Sequence, residues 1–414
     1  MKANAWTEGK LGSSIQVKHG FAFLGEYFGS AGTHIVLTPG NFKEEGGFTE
    51  NAEKRKWYRG PIPKEYVLSA GDVIVAMTEQ AEGLLGSSAI VPRSGLYLHN
   101  QRLGLIQVLD QKKTDKGFFY YLFNSKPVRQ QIRASASGTK IRHTAPSRIE
   151  DVIVRVPPLP LQRRIAGILS AYDALIENNE RRLRILERMA RALYREWFVD
   201  FRFPGREKVG RMPSAVGGIP RGWAVARLDD VAQVNRAQLG GDNIPEEIYY
   251  IDIASVSPGR INTLTRYRSD EAPGRARRIV RHGDVIWSSV RPNRRSYALI
   301  IHPKRNTIAS TGFAVLTASR IPFTFLYFGT TTDQFVTYLT NNATGSAYPA
   351  VTAATFEKAE LIIPPVHLLA QFDKITLPVV EEIEVLNRQI TNLSRTRDLL
   401  LPRLLTGAIK LRAN

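Results

Sequence analysis

Two long segments of the chain place apolar residues at the spacing of an amphipathic helix. After Pro158, successive apolar positions lie three, four or eleven residues apart, as on one face of a helix. These positions are Ile165, Ile168, Tyr172, Leu175, Leu186, Met189, Leu193 and Trp197. After Pro365 a similar stripe is formed by Phe372, Ile375, Val379, Ile383, Leu386, Ile390, Leu393, Leu400 and Leu404. The near-heptad spacing predicts two helices that pack together as a coiled coil.

Polar residues and a proline interrupt these two stripes. Asn179 and Arg397 lie where a purely apolar contact is expected. Such residues can fix the register of a coiled coil, and a partly exposed helix edge is an equally good interpretation. Pro378 is predicted to break the second helix near its start, because proline removes a backbone hydrogen bond.

Short strands are predicted ahead of each helical segment. Runs rich in Val, Ile, Tyr and Phe, bounded by turn residues, lie at 72–76, 103–108, 249–253, 284–288, 297–302 and 313–317. A double proline ends the last strand before each helix, since proline cannot donate to a sheet. Residues 203–222 are rich in proline and glycine and predict a linker between two globules, each of which is α/β or mostly β.

The two halves of the chain share one order of these signals. Gly138 and Gly345 are 207 residues apart, the same offset relates the two double prolines, and 207 is half of the 414 residues. Gly-Asp-Val-Ile at 71–74 recurs at 283–286 with an offset of 212. The chain is therefore predicted to be an internal repeat of one structural unit, with loops of different length.

The composition indicates a polyanionic partner. Basic residues outnumber acidic ones by 57 to 38, a formal net charge of +19, which favours nucleic acid first and a membrane surface second. No run approaches the ~18 to 20 apolar residues of a membrane span, and the N-terminal residues lack a secretory core, so a cytoplasmic location without membrane contact is expected. The chain has no cysteine, and its seven histidines show no metal-binding pair of the HExxH type, so no metal site is predicted.

Arginine dominates two basic segments. Residues 127–148 carry five basic residues and no acidic one, and residues 266–295 carry nine arginines against three acids. The planar guanidinium can pair with two acceptors of a phosphate or of a guanine edge, whereas lysine acts as a point charge. The pattern favours sequence reading, with only a minority of these arginines expected to contact bases.

Motifs of common DNA enzymes are absent from the sequence. No Gly-x-x-x-x-Gly-Lys-Ser/Thr loop is present to hold a nucleoside triphosphate. The double prolines lie in Val-Pro-Pro and Ile-Pro-Pro, unlike the Asn/Asp-Pro-Pro-aromatic motif of amino-methylating DNA methyltransferases. The Gly-Asp step at 71–72 fits a turn that enters an apolar strand. We therefore expect a binding protein without catalytic residues.

Several segments together resemble the specificity subunits of type I restriction-modification enzymes. Residues 159–165 (LPLQRRI) and 187–201 (ERMARALYREWFVDF) resemble the central conserved region of that family. Residues 400–407 (LLPRLLTG) resemble its C-terminal conserved region, and 20–23 (GFAF) and 220–223 (PRGW) are similar to its domain openings. The resemblance spans essentially the whole chain, and the order of these segments in duplicate is specific.

The resemblance implies an α/β (α+β) fold with a pseudo-twofold internal repeat. Two similar target-recognition domains would be separated by two long conserved helices that form an antiparallel coiled coil. The expected boundaries are 1–158 for the first domain, 159–203 for the central helical spacer, 204–365 for the linker and second domain, and 366–414 for the C-terminal helical spacer. Each domain would read half of a split double-stranded DNA site. Helices of ~40 Å would set the half-sites about one duplex turn apart.

The same resemblance implies partners. In this family two methyltransferase subunits dock on the helices and domains, and motor-nuclease subunits complete the restriction enzyme. S-adenosylmethionine, ATP and Mg²⁺ are expected in those partners, and no cofactor in this chain. Two other functions stay open: a structural RNA-binding protein with a coiled-coil arm, and a DNA methyltransferase or nuclease with a divergent site.

The candidate DNA-binding residues lie in polar loops beside predicted strands. They are Lys140, Arg142, His143 and Thr144 in the first half, and Arg291, Arg294, Arg295, Thr344, Ser346 and Tyr348 in the second. The alternative role for about half of them is phosphate contact or solubility. The candidate residues for the helical spacer and for subunit docking are Ile165, Tyr172, Leu186, Leu193, Trp197, Phe372, Ile383, Leu386, Ile390 and Leu393.

Overall fold

The computed structural model describes residues 6–80, 82–214, 217–240 and 244–411. The chain forms two compact units: the first comprises Met1–Glu177 and Thr391–Asn414, and the second comprises Asn178–Ile390. Each of the two long helices therefore contributes residues to both units. The domain boundaries expected at 158, 203 and 365 stay a prediction.

Short strands make up most of the first unit. They are β1 (Thr7–Lys10), β2 (Ile15–His19), β3 (Phe28–Gly29), β4 (His34–Val36), β5 (Trp57–Tyr58), β6 (Val73–Ala76), β7 (Thr78–Glu79), β8 (Ser88–Ile90), β9 (Tyr97–Leu98), β10 (Leu103–Val108), β11 (Arg142–His143) and β12 (Ile153–Val156). The helices are α1 (Lys116–Phe123), α2 (Lys126–Ala134), α3 (Pro146–Glu150) and the first part of α4 (Leu159–Tyr194).

The core of the first unit lies on both faces of one antiparallel sheet. This sheet has the order β2-β10-β6-β8, and a second sheet has the order β3-β5-β4-β9 with β4 and β9 parallel. Successive side chains of a strand point to opposite faces. Val73 and Val75 of β6 therefore join the cluster that contains the α1 side chains, whereas Ile74 and Ala76 join the cluster shared with the second sheet.

The second unit has a similar set of elements. Its strands are β13 (Arg211–Met212), β14 (Ile219–Pro220), β15 (Ala224–Arg227), β16 (Ala232–Val234), β17 (Glu247–Ile251), β18 (Val256–Ser257), β19 (Arg260–Ile261), β20 (Thr265–Arg268), β21 (Ala276–Ile279), β22 (Val285–Ser288), β23 (Tyr297–Leu299), β24 (Thr307–Ser310), β25 (Phe313–Ala318) and β26 (Glu360–Ile363). Its helices are the rest of α4, α5 (Leu228–Val231), α6 (Phe323–Thr330), α7 (Asp333–Asn341), α8 (Ala353–Glu357) and most of α9 (Val366–Leu405).

The strand order of the second unit confirms the internal repeat. The sheet β16-β25-β22-β23 corresponds to β2-β10-β6-β8, and β15 pairs with β26 as β1 pairs with β12. The second sheet, β20-β17-β24-β21, again contains one parallel pair, β17 and β24. The six strands predicted from the sequence match β6, β10, β17, β22, β23 and β25, with ends shifted by a few residues.

Both long helices begin directly after a double proline. Strands β12 and β26 end at Val156 and Ile363, and α4 and α9 begin at Leu159 and Val366, as the proline pattern predicts. The predicted break at Pro378 is wrong, because α9 continues through it to Leu405. Phe372 and Val380, on either side of the proline, are buried in the core of the second unit. This packing offsets the backbone hydrogen bond that proline cannot make.

Asn179 and Arg397 do interrupt the apolar contact between the long helices. In the second unit, Asn179 is buried, and its Nδ2 donates to Gln389 Oε1 over 3.0 Å. In the first unit, Arg397 Nη1 donates to Asp173 Oδ1 over 2.7 Å, and Tyr121 donates to the other oxygen of that carboxylate. Burial lowers the pKa of Arg397, but the carboxylates of Asp173 and Asp398 outweigh it and hold the pKa above its ordinary value.

Three positions of the predicted apolar stripes face solvent. Leu175 is 50 % exposed, Met189 is 60 % exposed and Ile375 is 48 % exposed. Asn179 and Arg397 instead occupy two of the positions where the long helices contact each other. Helical spacing alone does not distinguish buried from exposed apolar positions, because neighbouring positions on one face differ by only a small rotation about the helix axis.

Candidate nucleic-acid interface

A narrow hairpin in the first unit holds its candidate DNA-binding residues together. We call residues 137–143 the first hairpin loop. Ser137 and His143 close it through two backbone hydrogen bonds of 2.9 and 2.8 Å. Gly138 has a φ of +95°, and a Cβ there would lie 2.1 Å from the Ile141 carbonyl oxygen, so the turn requires glycine.

The residues around the first hairpin loop offer several polar groups to solvent. Lys140 is exposed at the tip, and Arg142 is partly exposed. The Nδ1 atom of His143 lies 3.2 Å from the Thr78 hydroxyl on the neighbouring strand. Within the part of the chain that the structure describes, the hydroxyl of Thr144 is buried without a hydrogen-bond partner. The structure thus places Lys140, Arg142 and His143 at least partly at the surface, whereas the hydroxyl of Thr144 is buried.

An equivalent hairpin lies in the second unit, 207 residues further on. We call residues 344–350 the second hairpin loop. Thr344 and Ala350 close it through two backbone hydrogen bonds of 2.9 Å each, and Gly345 has a φ of +102°. Ser346 is exposed, and Tyr348 is 69 % exposed at the tip.

Three candidate arginines lie in a second loop beside this hairpin. We call residues 289–296, between β22 and β23, the arginine loop. Arg291 lies against the second hairpin loop: its backbone N–H donates to the Pro349 carbonyl over 2.7 Å, and its Nη2 donates to the Ala347 carbonyl over 3.1 Å. The guanidinium lies over the Tyr348 ring, 4.8 Å from the ring centroid. Residues 57 positions apart in sequence are thereby joined into one surface.

The other two arginines of the arginine loop are in different states. Arg295 forms an ion pair of 2.6 Å with Asp333, which neutralises its charge locally. Arg294 is exposed, and among the described residues no acidic side chain pairs with it. Arg291 and Arg295 both have positive φ values, of 51° and 57°, which non-glycine residues adopt at a cost of roughly 1 to 3 kcal/mol. The Pro292–Arg294 turn between them is thus held in an unusual backbone conformation.

Two other arginines of segment 266–295 lie in the other sheet of the second unit and form ion pairs there. Arg266 and Arg268 lie on β20, in the other sheet of the second unit, and pair with Glu247 and Asp270. Asp284 is buried, and its carboxylate accepts from the Arg281 backbone N–H over 2.7 Å in the turn that enters β22. Burial raises the pKa of this carboxyl.

Sequence reasoning missed a buried carboxylate in the loop of the first unit that corresponds to the arginine loop. We call Glu79 together with residues 82–87 the glutamate loop. Glu79 is 4 % exposed, and its Oε2 accepts from the backbone N–H groups of Gly83, Leu84 and Leu85 over 2.9 to 3.1 Å. Arg129 donates to the Gly83 carbonyl of the same loop. The offset of 212 that relates Asp72 to Asp284 also relates Glu79 to Arg291. This offset is the feature of the sequence from which Glu79 could have been identified.

Replacing Glu79 by alanine is expected to lower the free energy of unfolding by about 1 to 3 kcal/mol. The variant leaves three backbone N–H groups without their acceptor, and unsatisfied buried donors cost this much. Urea unfolding of the full chain measures the change. Glu82→Ala is the matched control in the same loop, because the Glu82 side chain is 76 % exposed, and it should change the value by less than about 0.5 kcal/mol. Equal effects of the two substitutions would contradict this role of Glu79.

The ten candidate spacer and docking residues all point at least partly inward. Ile165, Trp197, Phe372, Leu386 and Ile390 are buried, and Tyr172, Leu186, Leu193, Ile383 and Leu393 are half-buried. These side chains pack α4 and α9 within the units, and the buried ones leave no surface for a partner. Exposed apolar side chains on α4 of the second unit are instead Ile185 and Met189.

Two kinds of site are not found among the described residues. No helix in the described ranges is both long and apolar enough to span a bilayer. No group of three or more histidine, aspartate or glutamate side chains there is arranged to hold a metal ion.

Comparison with known proteins gives one consistent family. The model of the type I restriction modification DNA specificity domain matches residues 4–188. The type I restriction enzyme MjaIX specificity subunit of Methanocaldococcus jannaschii is 25% identical over an alignment of 399 residues, and the alignment covers 88% of this chain and 90% of that protein. The type I restriction enzyme EcoBI specificity subunit of Escherichia coli is 22% identical over an alignment of 303 residues, which covers 69% of this chain and 60% of that protein.

A solved structure shares the fold. The crystal structure of the type I restriction-modification system S subunit from M. genitalium superposes with a TM-score of 0.65 at 15% identity. The superposition covers 98% of this chain and 97% of that one. The likeness confirms the predicted mixed α/β fold, with sheet-rich domains and a long helix between them in the sequence.

Proposed function

We propose that this chain, like the proteins it is similar to, is a specificity subunit of a type I restriction-modification enzyme, and that it reads a split sequence in double-stranded DNA and directs partner subunits to it. One half of the site is read by each unit. Methyl transfer and cleavage then belong to partner methyltransferase and motor-nuclease subunits, which bind S-adenosylmethionine, ATP and Mg²⁺.

The observation that carries this proposal is the repeated hairpin loop. Both units close a seven-residue loop with the same pair of backbone hydrogen bonds and place a glycine with positive φ after the first closing residue. Each loop lies against a neighbouring loop that differs between the units, the glutamate loop in the first and the arginine loop in the second. Two surfaces of the same construction but different chemistry suit a site with two unlike halves. A net charge of +19 supports binding to the DNA backbone.

Helix α4 of the second unit is the proposed docking surface for a methyltransferase subunit. Ile185 is 38 % exposed and Met189 is 60 % exposed, and Arg181, Arg184 and Arg188 surround them on the exposed side. Apolar side chains with arginine at their rim are typical of protein interfaces.

Mapping of modified adenines tests the proposal. DNA is sequenced from cells that express this chain together with its methyltransferase subunit, and from cells that express the methyltransferase subunit alone. We expect a motif with two specified parts and a fixed gap only in the first cells. Normal expression and assembly of both subunits without any new motif would overturn the proposal.

The RNA-binding alternative makes a different prediction for binding. A specificity subunit binds a duplex of its DNA motif more tightly than an RNA duplex of the same sequence. Tighter binding to structured RNA than to duplex DNA, at the same salt concentration, would favour the alternative.

A further inference from the structure

Equivalent positions of the two units carry opposite chemistry beside the hairpin loops. Glu79 corresponds to Arg291 at the offset of 212, and Ile141 corresponds to Tyr348 at the offset of 207. The neighbouring backbone supports both equivalences, because His143 pairs with Thr78 as Ala350 pairs with Val290. The two units therefore present different groups from the same place in the fold.

The Arg291 guanidinium is held in one orientation at the surface. One of its N–H groups donates to the Ala347 carbonyl, and its central carbon lies over the Tyr348 ring. The backbone of the same residue is held by the Pro349 carbonyl. A guanidinium fixed by stacking and a hydrogen bond loses less conformational entropy on binding than a free arginine. Arg291 is partly exposed, and no acidic side chain among the described residues pairs with it.

The chemistry of this arrangement matches one base edge. A guanidinium has five N–H donors and no acceptor, so the donors not used by Ala347 remain free. In the major groove, guanine presents two adjacent acceptors, O6 and N7, and arginine pairs with both at once. Adenine and cytosine place an amino donor in the groove, which a guanidinium cannot accept.

The corresponding position in the first unit cannot make this contact. Glu79 has no donor, and the Oε2 atom of its carboxylate already accepts three backbone N–H groups. Ile141, in the place of Tyr348, is an exposed apolar side chain without an aromatic face.

We propose that Arg291, positioned by Tyr348 and the Ala347 carbonyl, reads a guanine in the half-site of the second unit, and that the first unit reads no guanine from the equivalent position. This inference rests on the proposed function. Arg291 is then a residue that determines specificity, and the two half-sites differ chemically at one position.

The test begins with the motif obtained for the wild-type chain. Duplexes carrying that motif are prepared with 7-deazaguanine in place of each guanine in turn, which removes the N7 acceptor and keeps the base pair. Binding of each duplex is measured with the complex of the methyltransferase subunit and this chain. The chain is used as wild type and as the variants Arg291→Ala, Arg291→Lys and Arg305→Ala. Arg305 is the matched control, because it is exposed and follows the opposite end of β23 from the arginine loop.

One guanine, in one half of the motif, is expected to respond. For the wild-type chain its replacement should weaken binding roughly 5- to 150-fold, the range of a bidentate contact. Arg291→Ala should lose a similar factor, should show no further loss on the modified duplex, and should relax the mapped motif at that position alone. Arg291→Lys should not restore the preference, because lysine lacks the planar fork. Arg305→Ala should leave the motif unchanged.

Three outcomes would overturn the inference. In the first, no guanine in either half of the motif gives weaker binding when 7-deazaguanine replaces it. In the second, Arg291→Ala retains the full preference for guanine. In the third, Arg291→Ala weakens binding to all duplexes equally and leaves the motif unchanged, as the loss of a phosphate contact would. In each of these cases a split motif still exists and the proposed function stands. The absence of any motif with the wild-type chain would instead remove the proposed function itself. The deazaguanine measurement on the wild-type chain does not depend on how any variant folds.

Discussion

Replacing Phe372 by alanine is expected to lower the free energy of unfolding of the second unit by about 3 to 5 kcal/mol. The side chain is fully buried, and its ring meets five others, with the Phe198 ring centroid 5.0 Å away. The five rings come from Tyr194, Trp197, Phe198, Phe325 and Phe328. Truncation removes these contacts and leaves a cavity that such a close-packed cluster cannot fill.

Ile375→Ala is the matched control for Phe372→Ala. It lies on the same helix three residues later, is 48 % exposed, and should change the free energy of unfolding by less than about 0.5 kcal/mol. Denaturant unfolding followed by circular dichroism measures both variants. A loss below about 1 kcal/mol for Phe372→Ala would show that this ring is not part of the core of the second unit.

The first unit is expected to lose about 3 kcal/mol of stability between pH 6.5 and pH 4 through His99 alone. This side chain is fully buried; its Nε2 donates to the Leu103 carbonyl over 2.9 Å, and within the described chain its Nδ1 has no partner. Burial lowers the pKa of His99 from 6.5 to about 4. The unfolded chain therefore takes up a proton at higher pH than the folded chain. The stability is intact above pH 6.5 and is lost as the pH falls towards 4.

His99→Gln isolates this contribution from the carboxylates that also titrate in acid. The difference in free energy of unfolding between wild type and His99→Gln should shrink by about 3 kcal/mol as the pH falls from 6.5 to 4. His34→Gln, at a partly exposed histidine of the same unit, is the control for replacing a histidine by glutamine. A pH-independent difference for His99→Gln would contradict the burial of a neutral imidazole.

The periodic features of the sequence predicted the architecture well. The double prolines predicted the starts of α4 and α9, and the duplicated order of signals predicted a repeat that the strand order confirms. These features are local: proline restricts its own backbone and that of its predecessor, and strand patterning needs only neighbouring residues. The break predicted at Pro378 failed, because packing of Phe372 and Val380 is a tertiary effect that outweighs a local preference.

The candidate site was only partly accessible from the sequence. The hairpin residues Lys140 to Thr144 were found because a glycine and several basic residues lie together in the chain. The contact between Arg291 and Tyr348 was not predicted, although both residues were candidates. The two residues are far apart in sequence and meet through the Val290–Ala350 pair. Glu79 was overlooked because a search for positive charge does not select a carboxylate.

The repeat, the element types, the net charge and the resemblance to one family follow from residue identity and spacing along the chain. Which arginines are already neutralised, as Arg295 is by Asp333, and which residue holds Arg291 in place depend on the folded structure. It also decided that Glu79 is occupied by backbone donors. The physical reason is that charge pairing, stacking and burial depend on distances in space, which strand pairing sets between residues that the sequence leaves far apart.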